Sequence, residues 1–101
     1  SFESAAVLYG KLFDLDRRGL CLRKIGETHL KLGRYTLAFE NLQLALNMAK
    51  GTNNGKLLET TLLAFYNYYL HRGNHNDALR FYKQHIKVRD SLEAIGRKES
   101  I

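Results

Sequence analysis

Residues 22–46 read LRKIGETHLKLGRYTLAFENLQLAL, and residues 62–86 repeat the same order of features as LLAFYNYYLHRGNHNDALRFYKQHI. Equivalent landmarks lie 40 positions apart: Leu22 and Leu62, Ile25 and Phe65, Gly33 and Gly73, Ala38 and Ala78, Leu42 and Tyr82. In each copy, a stretch with apolar residues at helical spacing ends at a glycine, and a second such stretch follows. The repeat predicts tandem antiparallel helix pairs and an all-α fold.

The apolar spacing along the whole chain predicts five helices. They cover residues 3–13, 20–32, 35–49, 57–71 and 76 to at least 92. The run DLDRRG at 14–19 supplies turn chemistry between the first two, and KGTNNG at 50–55 is a loop. Asn76 and Asp77 can cap the last helix. We expect one domain over 1–101, an α-solenoid of about two and a half repeats cut from a longer protein, with 3–13 as the second helix of a truncated pair.

The amino-acid composition excludes some classes of function. The chain has no proline, one cysteine and a formal charge of +6, and acids are interspersed among the scattered basic residues. One cysteine excludes an intrachain disulfide and a cysteine-rich metal site. No apolar run reaches the roughly 18 residues that span a bilayer. We expect a cytoplasmic location, with a periplasmic sensor region as the alternative. The scattered charge favours a mixed solvated surface over a nucleic-acid face, which needs clustered cations.

No catalytic arrangement is evident. Cys21 has no base at motif spacing, and the glycines at 51 and 55 lack the lysine-serine continuation of a phosphate loop. His71 and His75 have the spacing of two metal ligands on one helical turn, but Gly73 and Asn74 break the helix between them. We therefore predict no enzyme activity, no cofactor and no metal site. His29 and His85 are expected to be packing residues.

The repeated pair resembles the tetratricopeptide repeat, whose helix pair carries a large apolar residue, a leucine-glycine pair, a tyrosine, then alanine and a spaced aromatic. The matching residues are Leu22, Ile25, Gly26, His29, Ala38 and Leu42, then Leu62, Phe65, Tyr66, Tyr69, Ala78 and Tyr82. His29, Tyr66 and His85 depart from the pattern, and the terminal proline is absent. Ile25 belongs to the predicted inner stripe. Phe65, Tyr66 and Tyr69 are expected to face neighbouring helices, whereas Tyr68 points elsewhere.

The resemblance implies a protein or peptide partner, bound in a concave groove lined by the first helix of each pair. The groove positions are Arg23, Glu27, Leu30, Lys31, Leu63, Asn67, Leu70 and His71. Arg23 could bind a peptide carboxylate by charge and Asn67 a peptide backbone by its amide. Glu27 and Leu63 stand where a carboxylate clamp would have asparagine and a basic residue, so binding of a chaperone C-terminal carboxylate is disfavoured.

The tail FYKQHIKVRDSLEAIGRKES is similar to the segment that closes such arrays in bacterial signalling proteins, where it leads through a coiled coil into a diguanylate cyclase or a histidine kinase. Heptad spacing predicts a dimer seam of Phe81, His85, Val88, Leu92 and Ile95. The stripe expected to face the repeat array, Ala78, Tyr82 and Ile86, lies on a different side of the helix. Residues 88–101 are thus either the start of a linker or a C-terminal capping helix.

The main hypothesis is a non-catalytic scaffold that binds a protein or self-associates and controls an attached cyclase. The alternatives are a domain of a kinase or transcriptional regulator, and a basic nucleic-acid binder.

Overall fold

The computed structural model describes residues 2–99, and the side chains of residues 10, 11 and 13–95. This part of the chain contains four helices and no strand: α1 (Phe2–Lys31), α2 (Tyr35–Gly51), α3 (Gly55–His71) and α4 (His75–Glu99). α1 packs against α2 and α3 against α4, while α3 also lies against α2 and α1. The prediction of an all-α fold of helix pairs is confirmed.

The turns between paired helices are copies of each other. Gly33 and Gly73 both have φ of +74°, the left-handed conformation that glycine adopts without steric cost. The N–H of Arg34 donates to the carbonyl of His29, and the N–H of Asn74 donates to that of Tyr69, each at 2.9 Å. The 40-residue repeat therefore holds at the level of individual backbone hydrogen bonds.

Residues 3–13 and 20–32 were predicted as two helices, which is wrong because α1 continues through 14–19. Gly19 is buried, and a Cβ built on it would lie 2.6 Å from Leu57 Cδ2 and 3.4 Å from Met48 Cβ. The glycine thus serves close helix packing and not a turn. Residues 3–13 continue the axis of α1, so they are not the antiparallel second helix of a preceding pair.

Asparagine side chains cap the first turns of α3 and α4. The N–H of Leu57 donates to Asn54 Oδ1, and the N–H of Asp77 donates to Asn74 Oδ1, each at 3.1 Å. The cap predicted at Asn76 and Asp77 therefore lies two residues earlier, at Asn74, because α4 already begins at His75. The loop predicted at 50–55 shrinks to 52–54 between the ends of α2 and α3.

The core lies where α3 meets the other helices. Its buried residues are Leu30, Ala38, Leu42, Leu46, Leu62, Ala64, Phe65 and Tyr68. Gly26 allows α2 to approach α1, since a Cβ there would lie 2.8 Å from Leu42 Cγ. Ile25, predicted to face inward, is 45% exposed. It lies on the outer side of α1, which has no preceding helix pair against it in residues 2–99.

Tyr68 was predicted to point away from the core, and this is wrong because its side chain is 9% exposed. Its ring centroid lies 5.6 Å from that of Phe39 on α2. On the other side of α3, the rings of Phe65 and Tyr69 stack on Phe81 of α4, at 5.0 and 5.4 Å. α3 is covered on two sides, so its buried residues form two apolar stripes and not one.

Burial, with Asp77 as a second cause, raises the pKa of the Tyr69 phenol.

Candidate functional site

The first helices of the two pairs, α1 and α3, form a groove that contains two clefts. The first cleft, here the Arg23 cleft, has a volume of about 310 Å³. It is lined by Asp16, Arg17, Leu20, Arg23, Asn54, Lys56, Leu57 and Thr60. Three cations and one carboxylate line the cleft, and two of the cations are ion-paired to carboxylates beside it, Arg23 with Glu27 and Lys56 with Glu59. The guanidinium groups of Arg17 and Arg23 suit a ligand that accepts charge-assisted hydrogen bonds.

Arg23 is the most constrained charged group in this cleft. Its side chain is 15% exposed, and Nη1 donates to Glu27 Oε1 at 2.7 Å. Arg23 Nε and Asp16 Oδ1 are buried and have no hydrogen-bond partner within the part of the chain that the structure describes. Leaving buried polar atoms unsatisfied costs about 1–3 kcal/mol each. A ligand that accepts from the guanidinium would recover part of this cost.

The second cleft, here the Asn67 cleft, lies further along the same groove and has a volume of about 290 Å³. It is lined by Glu27, Leu30, Lys31, Ala64, Asn67 and His71. Leu30 and Ala64 are buried at its base, whereas Asn67 and His71 are exposed. The Nδ1 atom of His71 lies 2.8 Å from the backbone oxygen of Asn67, which orients the imidazole along α3. This cleft offers the amide of Asn67 and charges of both signs above an apolar floor.

Six of the eight groove residues that the sequence predicted line these two clefts, and Glu27 of the second cleft is ion-paired with Arg23 of the first. Leu63 and Leu70 line neither. Leu30 contributes to the core as well, since only 6% of it is exposed. Sequence reasoning missed Asp16 and Arg17 because it placed a turn at 14–19. It missed Asn54 and Lys56 because they come from the start of α3 and the loop before it.

The predicted dimer seam on α4 is mostly occupied within the chain itself. Phe81 and Val88 pack against the core cluster, and His85 is buried with Nδ1 3.0 Å from the backbone oxygen of Glu59. Leu92 lies against Gly55 of α3, where a built Cβ would be 2.8 Å from Leu92 Cδ2. These four residues therefore face α3, which corrects their assignment to an outward seam. Ile95, at 54% exposed, is the only predicted seam residue that is largely open.

The burial of the stripe predicted to face the array varies along α4. Ala78 is buried, Ile86 is half-buried, and Tyr82 is 40% exposed with its ring 5.0 Å from that of Tyr66. The reason is the rotation of α4 about its axis, which turns the side with Phe81 and His85 toward α3. Apolar residues on the other side of α4 are left partly exposed.

Within residues 2–99, no group of three His, Cys, Asp or Glu side chains is placed to hold a metal ion. None of the four described helices combines the length and apolar character that crossing a bilayer requires. The exposed Cys21 is a free thiol on α1. The groove between α1 and α3 is therefore the feature of the described chain with the clearest capacity to bind a ligand.

Comparison with known proteins supports the same architecture. Neither the curated proteins nor the solved structures contain a match to this chain. A family model for the tetratricopeptide repeat matches residues 19–91, which is well over half of the sequence. The match begins at the buried Gly19 and covers the second part of α1, all of α2 and α3, and α4 as far as Ser91, with both equivalent turns. The chain belongs to the tetratricopeptide repeat family.

Proposed function

We propose that this chain is a non-catalytic protein-interaction scaffold that binds an acidic, extended segment of a partner protein in the groove between α1 and α3. The observation that carries the proposal is the Arg23 cleft. One of the three cations that line it, the Arg23 guanidinium, is largely buried and only partly hydrogen-bonded. Membership of a family of interaction modules supports the same conclusion.

The two clefts divide the recognition between them. In the Arg23 cleft, a carboxylate of the partner accepts from Arg23, with Arg17 and Lys56 adding attraction at longer range. In the Asn67 cleft, the amide of Asn67 can donate to and accept from a peptide backbone, and Leu30 with Ala64 forms an apolar floor for a side chain. The chemistry thus selects an acidic residue followed along the segment by an apolar one.

The test is selection from a displayed library of 12-residue random peptides on the immobilised 101-residue chain. Enriched peptides are expected to carry Asp or Glu at a fixed position. Because hydrogen bonds to charged groups contribute about 1.5–3 kcal/mol, Arg23→Gln should weaken the best peptide by about tenfold or more. Fluorescence anisotropy of the labelled peptide gives the dissociation constants, and circular dichroism verifies that each variant folds.

Lys24→Gln is the matched control, because Lys24 is exposed on the adjacent position of α1 and lines neither cleft. Peptides that show no acidic preference, or that bind equally to the Arg23 and Lys24 variants, would rule out the proposed groove. Single-stranded RNA is tested in parallel. Strong, steeply salt-dependent RNA binding would instead favour the nucleic-acid alternative.

The same proposal includes a signalling role, in which groove occupancy acts through α4 on an attached output domain such as a bacterial diguanylate cyclase. A histidine kinase or a transcriptional regulator is the alternative output. The supporting observation is that α4 runs for 25 residues, to Glu99, past the level of its contacts with the start of α3. Spin labels at Thr36 and Ser91 should report a change in distance when the selected peptide binds. An unchanged distance distribution would contradict this role, because α4 would then not move when the peptide binds.

A further inference from the structure

The second helix pair has an open apolar edge at the position where the first pair is covered by α3. In the first pair, Leu30, Leu42 and Leu46 belong to the same buried cluster as Phe65 of α3. Adding the 40-residue repeat gives Leu70, Tyr82 and Ile86 in the second pair. Leu70 is 39% and Tyr82 40% exposed, where Leu30 is 6% and Leu42 0% exposed.

Phe39 extends the comparison. Its ring packs on α3, 5.8 Å from Phe65 and 5.6 Å from Tyr68, so it marks the side of α2 that receives the next helix. Phe39 itself is 37% exposed, and the equivalent residue on α4, Leu79, is 53% exposed. We use the name open edge for the surface at the end of the second pair that is made of Leu79, Tyr82 and Ile86 on α4 with Tyr66 and Leu70 on α3. The rings of Tyr66 and Tyr82 lie against each other across it, at 5.0 Å.

The second pair lacks the turn that returns the chain to the first groove. α2 ends at Gly51, and a three-residue loop then brings α3 back beside it. The position equivalent to Gly51 is Ser91, yet α4 continues as a helix to Glu99. The short turn that would return a following helix to the groove is therefore absent at the equivalent place.

The charges at the border of the two grooves differ. On α2, the border beside Phe39 carries the neutral amides of Gln43 and Asn47, whose side chains hydrogen-bond to each other at 3.2 Å. The equivalent residues on α4 are Lys83 and Lys87, both exposed. The open edge thus has an apolar floor with a basic border, which attracts a helix that carries acidic residues on its flank.

A second copy of this chain would fit the border poorly. The residues of α1 that are equivalent to the groove-facing Leu57, Leu58 and Thr61 of α3 are Arg17, Arg18 and Cys21. Stacking α1 of one copy on the open edge of another would replace two leucines by arginines and bring them toward Lys83 and Lys87. The charge repulsion disfavours this head-to-tail assembly.

We propose that the open edge binds an amphipathic helix from another protein, with apolar residues at i, i+3/i+4 and i+7 spacing and acidic residues on the flank that meets Lys83 and Lys87. The helix would lie across α3 and α4 as α3 lies across α1 and α2. This surface is separate from the groove between α1 and α3, and its occupant is helical where the groove's ligand is extended.

Two synthetic probes test the proposal, both based on residues 55–71, because α3 is the helix that fits the equivalent groove. In the acidic probe, Tyr66 and Tyr69, whose rings lie against Tyr82 and Phe81 of α4, are replaced by Glu. In the basic probe the same two positions are replaced by Lys. Anisotropy of the labelled probes on the 101-residue chain is expected to show at least about tenfold tighter binding of the acidic one.

Leu79→Glu should abolish measurable binding of the acidic probe, and Lys83→Glu with Lys87→Glu should reverse the preference between the probes. Leu44→Glu is the matched control, because Leu44 is an exposed leucine on α2, at 50%. This variant should bind the acidic probe as tightly as the original chain does. Circular dichroism establishes that all variants fold. Arg23→Gln should leave probe binding unchanged, which separates this edge from the peptide groove.

Two outcomes would overturn the proposal. One is equal binding of both probes to the original chain and to the Leu79→Glu variant. The other is a dimer in multi-angle light scattering that Leu79→Glu converts to a monomer, because that result assigns the open edge to a second copy of the chain.

Discussion

At the residue scale, Gly26 sets the separation of α1 and α2. Gly26→Ala would place a Cβ 2.8 Å from Leu42 Cγ and 3.2 Å from the backbone oxygen of Ala38. Leu42 is fully buried and a backbone oxygen cannot rotate away, so overpacking should cost about 1–3 kcal/mol. Better helix propensity returns only about 1 kcal/mol. Urea denaturation should therefore show a less stable protein.

Gly10→Ala is the matched substitution, because a Cβ on Gly10 meets nothing within 4 Å. It should raise the free energy of unfolding by up to about 1 kcal/mol through helix propensity alone. If both variants were equally stabilised, α2 would have to move away from α1 at no cost. That result would contradict the close packing at Gly26.

Single residues also show what sequence could and could not establish. Gly33 and Gly73 were identifiable as helix ends because each follows an apolar-periodic stretch, and both have the expected positive φ. Gly19 has similar polar neighbours but is buried inside a helix. The difference lies in Leu57 and Met48, which are distant in sequence and contact Gly19 only after folding. Local turn chemistry cannot detect such a contact.

At the scale of elements, the continuity of α1 is open to a direct test. Arg18 is exposed and lies in the helix interior, within the run predicted to be a turn. Arg18→Pro removes one backbone hydrogen bond and clashes with the preceding turn, which costs about 3 kcal/mol or more in a helix. Either the helix before residue 18 should unfold, or the free energy of unfolding of the whole chain should fall by this amount. Either way, circular dichroism at 222 nm should show less helix.

Arg18→Ala provides the comparison, because it removes the same side chain and keeps a good helix former. Its helix content should equal that of the original chain. A proline variant with undiminished helix signal would mean that residues 14–19 form a turn after all.

The groove and the tail differed in how far their elements could be predicted. Positions on the first helix of each pair follow from helical spacing, so six of the eight predicted groove residues line the two clefts. On α4, spacing identified two apolar stripes, but it assigned the stripe that contains Phe81 to a partner helix. The stacking of Phe81 on Phe65 and Tyr69 shows that this stripe meets α3, which depends on how the two helices are rotated against each other.

At the scale of the whole molecule, the two helix pairs form one cooperative unit or two, depending on the strength of the α2–α3 interface. Leu46 is 6% exposed and belongs to the same buried cluster as Phe65. Truncation of such a leucine costs about 2–5 kcal/mol. Since a small domain has only about 5–15 kcal/mol in total, Leu46→Ala should bring the whole chain close to unfolding.

The expected behaviour is a single transition, because neither pair can bury its apolar face without the other. Hydrogen exchange followed by mass spectrometry should show α1 and α4 losing protection together in Leu46→Ala, although Leu46 lies in α2. Leu44→Ala, at a half-exposed position in the same helix, should change stability by no more than about 0.5 kcal/mol. If α4 kept its protection while α1 and α2 opened, the second pair would be an independent unit. The open edge on α3 and α4 could then bind a partner while the peptide groove was unfolded.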